Sequence, residues 1–500
     1  MSWLSPEELT KLKSSESMFR SPIPVRPVSS DEFMPAAQSP LQRQFELRIK
    51  QLGSDMAKKL GISRRKFFQT PAGMASAFLA MNQTFTPVFG VSAAEAATPE
   101  LANERAKALS GQFIMDMHTH FLRPGTRMTG FVAQRAAVGK AGWNPGLAGK
   151  EQTLEDLMFQ NYIKEIYLDS DTKVACISGA PSEIPEDWFL TNKMKADARA
   201  NVNAIAGTKR MYSHAIFTPG YDGWMEAIDR DIETHRPDSM KGYTIGDNSH
   251  KELSRHPWHL DDEKLVYPAY AKFAKAGLNN VCIHKGLFPP SLEKQFPNLL
   301  PYCDVRDVAK AAKDWPQLNF IIYHGGYRYG GGPGAADAAW QQFEKTGRID
   351  WITDLAEIPG KYGVSNVYAD VGQLFAQTTM ADPRVAAVMM GQLVKGMGSD
   401  HVCWGTDAIW TGSPQWQIEA LRRLEIPEEL QRKHGLAPLG AADGPVKTAI
   451  FGGNNARLYK IKPQLRAEVA GDKLAAYKTL YETHGEGRSN LTYGFVRRAG

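Results

Sequence analysis

Short apolar runs recur along this chain at 113–118, 173–178, 211–217, 240–245, 280–284, 319–324, 366–371 and 402–406. Runs of this length, closed by glycine or polar residues, read as buried strands. Stretches with helical spacing of apolar positions lie between them, among them Leu154 to Leu168, Asp187 to Ile205, Lys264 to Ala276, Val305 to Lys313 and Pro383 to Lys395. Strand and helix in repeated alternation predict an α/β fold, a (β/α)8 TIM barrel. Two long loops, 121–150 and 244–262, follow strands and are expected near the mouth, the C-terminal face of such a barrel. The expected division is an N-terminal extension over 1–97, a barrel domain over 98–461 and a C-terminal helical tail over 462–500.

Composition narrows the partners. The 43% hydrophobic and 23% charged residues are those of an ordinary globular protein. The formal charge is +5, but residues 1–97 hold 12 Lys/Arg against 8 Asp/Glu, so the body carries only about +1. That balance argues against nucleic acid as a partner. Cys176, Cys282, Cys303 and Cys403 form no CxxC pair and read as buried core thiols.

Chemistry concentrates at strand ends. His118 and His120 stand in FIMDMHTHF, His284 in VCIHKG, His324 in IIYHGGY and Asp407 in VCWGTDA. His118 and His120, two apart on a strand, point the same way. Neutral imidazoles with a carboxylate hold a divalent ion, zinc first and manganese or another as alternatives. His118, His120, His284 and Asp407 are the expected metal ligands, with Asp116 beside them as support. Lys241 raises a second-metal reading, but it sits early on its strand, where packing is the better account. Arg123, Tyr327, Arg328 and Trp410 follow strand ends and are candidates for substrate contact. His256, Trp258 and His259 lie in the second long loop and are candidates as well, Trp258 as an apolar lid.

The ordered pieces DMHTH, IHKG, HGG and WGTD, closed by IFGGNNARLYKI, resemble the amidohydrolase superfamily over about Phe113 to Ile461. The resemblance is to the amidohydrolase-related branch that includes the aminocarboxymuconate-semialdehyde decarboxylases. It implies one divalent ion and a small-molecule substrate. It also implies that His324 faces the attacking water and moves a proton, and that Asp407 serves the metal with a possible base role. Hydrolysis is the first expectation. Non-oxidative decarboxylation of a small unsaturated or aromatic acid is the second, and an inactive binding scaffold the third. A homodimer is the ordinary prior for such enzymes.

The front of the chain carries a different signal. SRRKFF, with Arg64 and Arg65, precedes the Ala-, Gly- and Met-rich stretch TPAGMASAFLAMNQTFTPVFG and then VSAAEAAT. This looks like a twin-arginine signal peptide, which implies the twin-arginine export machinery as partner and a periplasmic or extracellular destination. Cleavage is expected near Ala96 or Ala97. The stretch is too polar for a stable membrane anchor. Residues 21–42, rich in Pro and Ser, read as disordered. Translation starts at Met1 or at Met56, where a more compact signal begins.

Overall fold

The computed structural model describes residues 21–25, 37–126, 129–144, 147–149, 151, 153–330, 334–410 and 412–484. Eight parallel strands run in chain order: β1 (Met115–Thr119), β2 (Val174–Ile177), β3 (Met211–Ile216), β4 (Ser239–Tyr243), β5 (Asn280–His284), β6 (Asn319–Tyr323), β7 (Val367–Asp370) and β8 (Val402–Cys403). Past β8 the chain turns back onto β1. Met117 N donates to Trp404 O at 3.1 Å, Asp407 N to His118 O at 2.8 Å, and Thr119 bridges Ala408 in parallel. The fold is a TIM barrel, as the alternation predicts.

The barrel interior is filled by side chains. Met115, Met117, Cys176, Cys282, Ile321, Tyr323 and Cys403 form one buried cluster with Leu458 and Tyr459. Tyr459 follows the helix Asn454–Leu458, whose Asn455 amide donates to the carbonyls of Met115 (2.7 Å) and Trp404 (2.9 Å). The C-terminal helices are tied on in turn, with Arg210 donating to Asp472 through Nε at 2.6 Å and Nη2 at 2.7 Å. All four cysteines are buried and free.

The N-terminal extension departs from expectation where it is described. Ser21 to Val25 are buried. A helix starts at Pro40, where Ser39 accepts from Gln42 N at 3.2 Å and the Gln42 side chain accepts from Ser39 N at 2.8 Å. Such a capping box stabilises a helix start, which composition alone did not reveal. The apolar stretch forms the helix Pro71–Thr84, buried along Ala72–Phe78 and at Ala80 and Met81. Phe67, Phe78 and Met81 belong to the same core cluster as Phe375, Val385 and Leu421 of the barrel helices. Phe89 bridges Leu424 in antiparallel fashion, and Arg423 pairs with Glu95. Among the described residues, no helix is long and apolar enough to cross a membrane.

Candidate metal centre

β1 delivers His118 and, one residue past its end, His120; the segment after β8 delivers Asp407. Nε2 of His118 and Nε2 of His120 each lie 3.1 Å from Oδ1 of Asp407. Neighbouring ligands of one ion held at about 2.1 Å are roughly 3.0–3.4 Å apart, so this spacing fits a divalent metal. All three residues are buried, and their donor atoms lie within 4.8 Å of one another.

The local backbone is shaped to bring them together. Asp407 has φ 58° and His324 φ 57°, a left-handed conformation that costs a non-glycine residue of order 1–2 kcal/mol. Asp116 holds the turn before Asp407: its carboxylate accepts from Thr406 N at 3.1 Å, from the Thr406 hydroxyl, and from His118 N at 3.1 Å. Asp116 therefore supports the backbone of the site and makes no contact with an imidazole among these bonds. Burial pushes its carboxyl up to about 7, against the Thr406 hydrogen bond.

Burial also sets the charge of the donors. It drives the His118 imidazole well below its ordinary range and lowers His120, so both stay neutral as metal ligands must.

His284 ends β5 and His324 follows β6, both buried. Nε2 of His324 lies 3.2 Å from Nδ1 of His284, and the His324 ring centroid is 5.1 Å from that of His118. The compact donor group contains neither of them. His284 stacks on Tyr243 at 4.8 Å, and Tyr243 donates to Gly179 O. Lys241 lies on β4 inside the barrel, 3.1 Å from the Tyr323 ring centroid.

The substrate-contact candidates separate into two groups. Trp410 is at the site, stacked on His120 at 5.3 Å with Phe189 edge-on to both rings. The others have their side-chain contacts with residues outside the donor group. Trp258 is core rather than lid: its indole donates to Tyr243 O and its ring packs on Phe217. The apolar ring finds a buried slot against Gly242, where a Cβ would collide with it. His256 packs on Tyr221. His259 stacks on Tyr302 and faces Asp307, with no helix to join it to His256. Arg328 is engaged by Glu293 and Asp350, Tyr327 is buried in the main core, and Arg123 donates to Pro185 O.

Two residues at the centre escaped the sequence reading. Asp370, at the end of β7, lies 2.9 Å from His118 Nδ1. Burial pushes its carboxyl up, opposed by the Lys241 ammonium. Phe189 comes from a loop that no strand signal marks. Asp370 had a signal, a lone carboxylate closing the apolar run NVYAD. A separate cavity of about 340 Å³, lined by Trp188, Asn192, Phe217, Trp224 and Asp231, lies between the helices Asn192–Ala206 and Trp224–His235.

No curated protein sequence matches the chain. Solved structures with a likeness include an uncharacterised TIM-barrel protein from Bordetella bronchiseptica, 14% identical, covering 71% of this chain and 99% of that one, TM-score 0.43. A 2,6-dihydroxybenzoate decarboxylase from Rhizobium is 14% identical, covering 70% and 99%, TM-score 0.38. A 5-carboxyvanillate decarboxylase from Sphingomonas paucimobilis is 12% identical, covering 70% and 100%, TM-score 0.39. Likeness this distant says nothing about substrate. The amidohydrolase family model, however, matches residues 115–461, from the first residue of β1 to just past the helix that closes the barrel floor. With its donor set at the barrel mouth, the chain belongs to the amidohydrolase family.

Proposed function

We propose that this chain is a metal-dependent enzyme that removes carbon dioxide from a small unsaturated or aromatic acid. The observation that carries the reading is the buried His118–His120–Asp407 donor set lying against an aromatic wall of Trp410 and Phe189. A divalent ion bound by these residues supplies positive charge that binds substrate oxygens and stabilises negative charge as it develops. The wall excludes water and offers apolar surface to a planar substrate. A carboxylate stripped of water loses the solvation that opposes its departure as carbon dioxide. When the carbon–carbon bond breaks, the carbon left behind takes a proton, and in this reading His324, 3.2 Å from His284, delivers it.

Hydrolysis of an ester, lactone or amide is the second reading. It is favoured by the same pair, since His324 would there move a proton to or from water. The deciding experiment incubates Mn2+- or Zn2+-loaded enzyme with aromatic acids labelled in the carboxyl carbon, and separately with small esters and lactones. Labelled carbon dioxide supports the first reading. Ester or lactone cleavage without it moves the assignment to hydrolysis. Neither activity, with metal bound, sinks both.

Export by the twin-arginine route to the periplasm or beyond rests on the Ser63–Phe68 sequence. Because the following helix packs into the barrel core, we propose that an exported chain keeps it. The intact mass of the exported protein tests this; a start near Ala97 contradicts it.

A further inference from the structure

We infer that Asp370 is a positioning residue that sets His118 in the ring form able to bind a metal. The inference rests on the metal-dependent reading above. Asp370 ends β7, is fully buried, and presents Oδ2 at 2.9 Å from Nδ1 of His118. The opposite nitrogen of that ring, Nε2, lies 3.1 Å from Asp407.

An imidazole binds a metal through an unprotonated nitrogen. When ionised, Asp370 accepts at Nδ1, which places the proton there and leaves the Nε2 lone pair directed at the ion. Space around the contact is arranged for it. Gly405 sits where any Cβ would collide with Oδ1 of Asp370 and lie 2.6 Å from Cβ of His118. Gly372, at φ 43°, leaves room where a Cβ would come within 3.0 Å of Oδ2 of Asp370 and 2.7 Å of His324 Nδ1.

His120 makes the contrast. Its Nδ1 is buried with no hydrogen-bond partner among the described residues. Packing against Trp410 and Phe189 orients that ring instead. The two β1 histidines are therefore unequal. On the side away from Asp407, His118 is held by a hydrogen bond, and His120 is steered by ring packing.

The test combines two measurements. Nitrogen NMR of 15N-histidine-labelled, metal-free protein, with the His118 signals assigned from a His118→Gln variant, reads the tautomer directly. Competition titration with Zn2+ gives the affinity of wild type and Asp370→Asn. We expect a proton on Nδ1 of His118 in the wild type. We also expect Zn2+ binding weaker by roughly 10–100-fold in Asp370→Asn, the usual effect of losing such a partner. The melting temperature of the metal-free variant should change little, because the amide fills the same space. A wild-type proton on Nε2 of His118 overturns the inference, as does Asp370→Asn binding Zn2+ as tightly as wild type. If Asp370→Asn fails to fold, the wild-type spectrum decides alone. A wild type that binds no divalent ion overturns the metal reading, while the tautomer still judges Asp370.

Discussion

Phe78→Ala tests whether the leader-like segment is part of the enzyme. Phe78 is fully buried in the helix Pro71–Thr84, its ring 4.9 Å from Phe89 and 5.7 Å from the Arg423 guanidinium. Emptying a buried Phe site costs about 3–5 kcal/mol, lost transfer energy plus the cavity left behind. The Phe78–Phe89 pairing places the cost toward the upper end, since such ring pairs contribute about 0.5–1.5 kcal/mol beyond area. Phe78→Leu, closer in volume and still apolar, should cost only about 1–1.5 kcal/mol. The assay is urea unfolding of the full chain, followed by tryptophan fluorescence. A loss below about 0.5 kcal/mol for Phe78→Ala, typical of a surface change, would refute the packing argument.

Other perturbations follow from the same structure. Arg423→Ala should destabilise by about 1–3 kcal/mol, because it removes a buried cation shared by Glu95 and Glu419, which keep only Arg105 and Arg422 respectively; the same unfolding assay checks it. His324→Asn should keep the metal and lose roughly 10²-fold in turnover, whereas loss of metal equal to that of His118→Ala would make His324 a ligand. Stability of the metal-free protein should fall on acidification. Burial lowers the folded-state pKa of His118, His120, His214 and His284, so the unfolded chain takes up protons first. Their contribution is complete above about pH 6.5 and is lost toward pH 5, by up to roughly 1.4 kcal/mol per pH unit for each. Asp116, pushed up to about 7, and Asp370 and His259, also raised, pull the other way, whereas Lys195, lowered to about 7, adds to the fall, so the four histidines set the sign only in excess. Urea midpoints at pH 7.5 and 5.5 decide, and a higher midpoint at pH 5.5 would contradict the balance.

The barrel was legible because its strands are buried on both faces. Each reads as a continuous apolar run, and β5 falls at 280–284 as expected. β8 is shorter than its run of 402–406, since the chain past Cys403 leaves the ladder to place Asp407. The β1 histidines and Asp407 were legible from residue type and order. Their relation to His284 was not, because spacing along the chain does not say which nitrogen faces which. Trp258 misled: a tryptophan in a loop reads as a lid, but its indole finds a backbone partner in the core at Tyr243. The N-terminal stretch is ambiguous for a related reason. A weakly apolar Ala- and Met-rich sequence suits an export signal and a tightly packed helix equally well, and its packing against the barrel helices could be read only from the structure. Residues 485–500 of the expected tail lie outside the described residues.

The central claim is that His118, His120 and Asp407 hold one divalent ion. Elemental analysis of the purified full chain, beside His118→Ala and Asp407→Ala, tests it most directly. The account predicts about one divalent ion per wild-type chain and almost none in either variant, with both variants still folded by circular dichroism. Wild type without an ion after Zn2+ and Mn2+ have been supplied, or variants that retain it fully, would contradict the account.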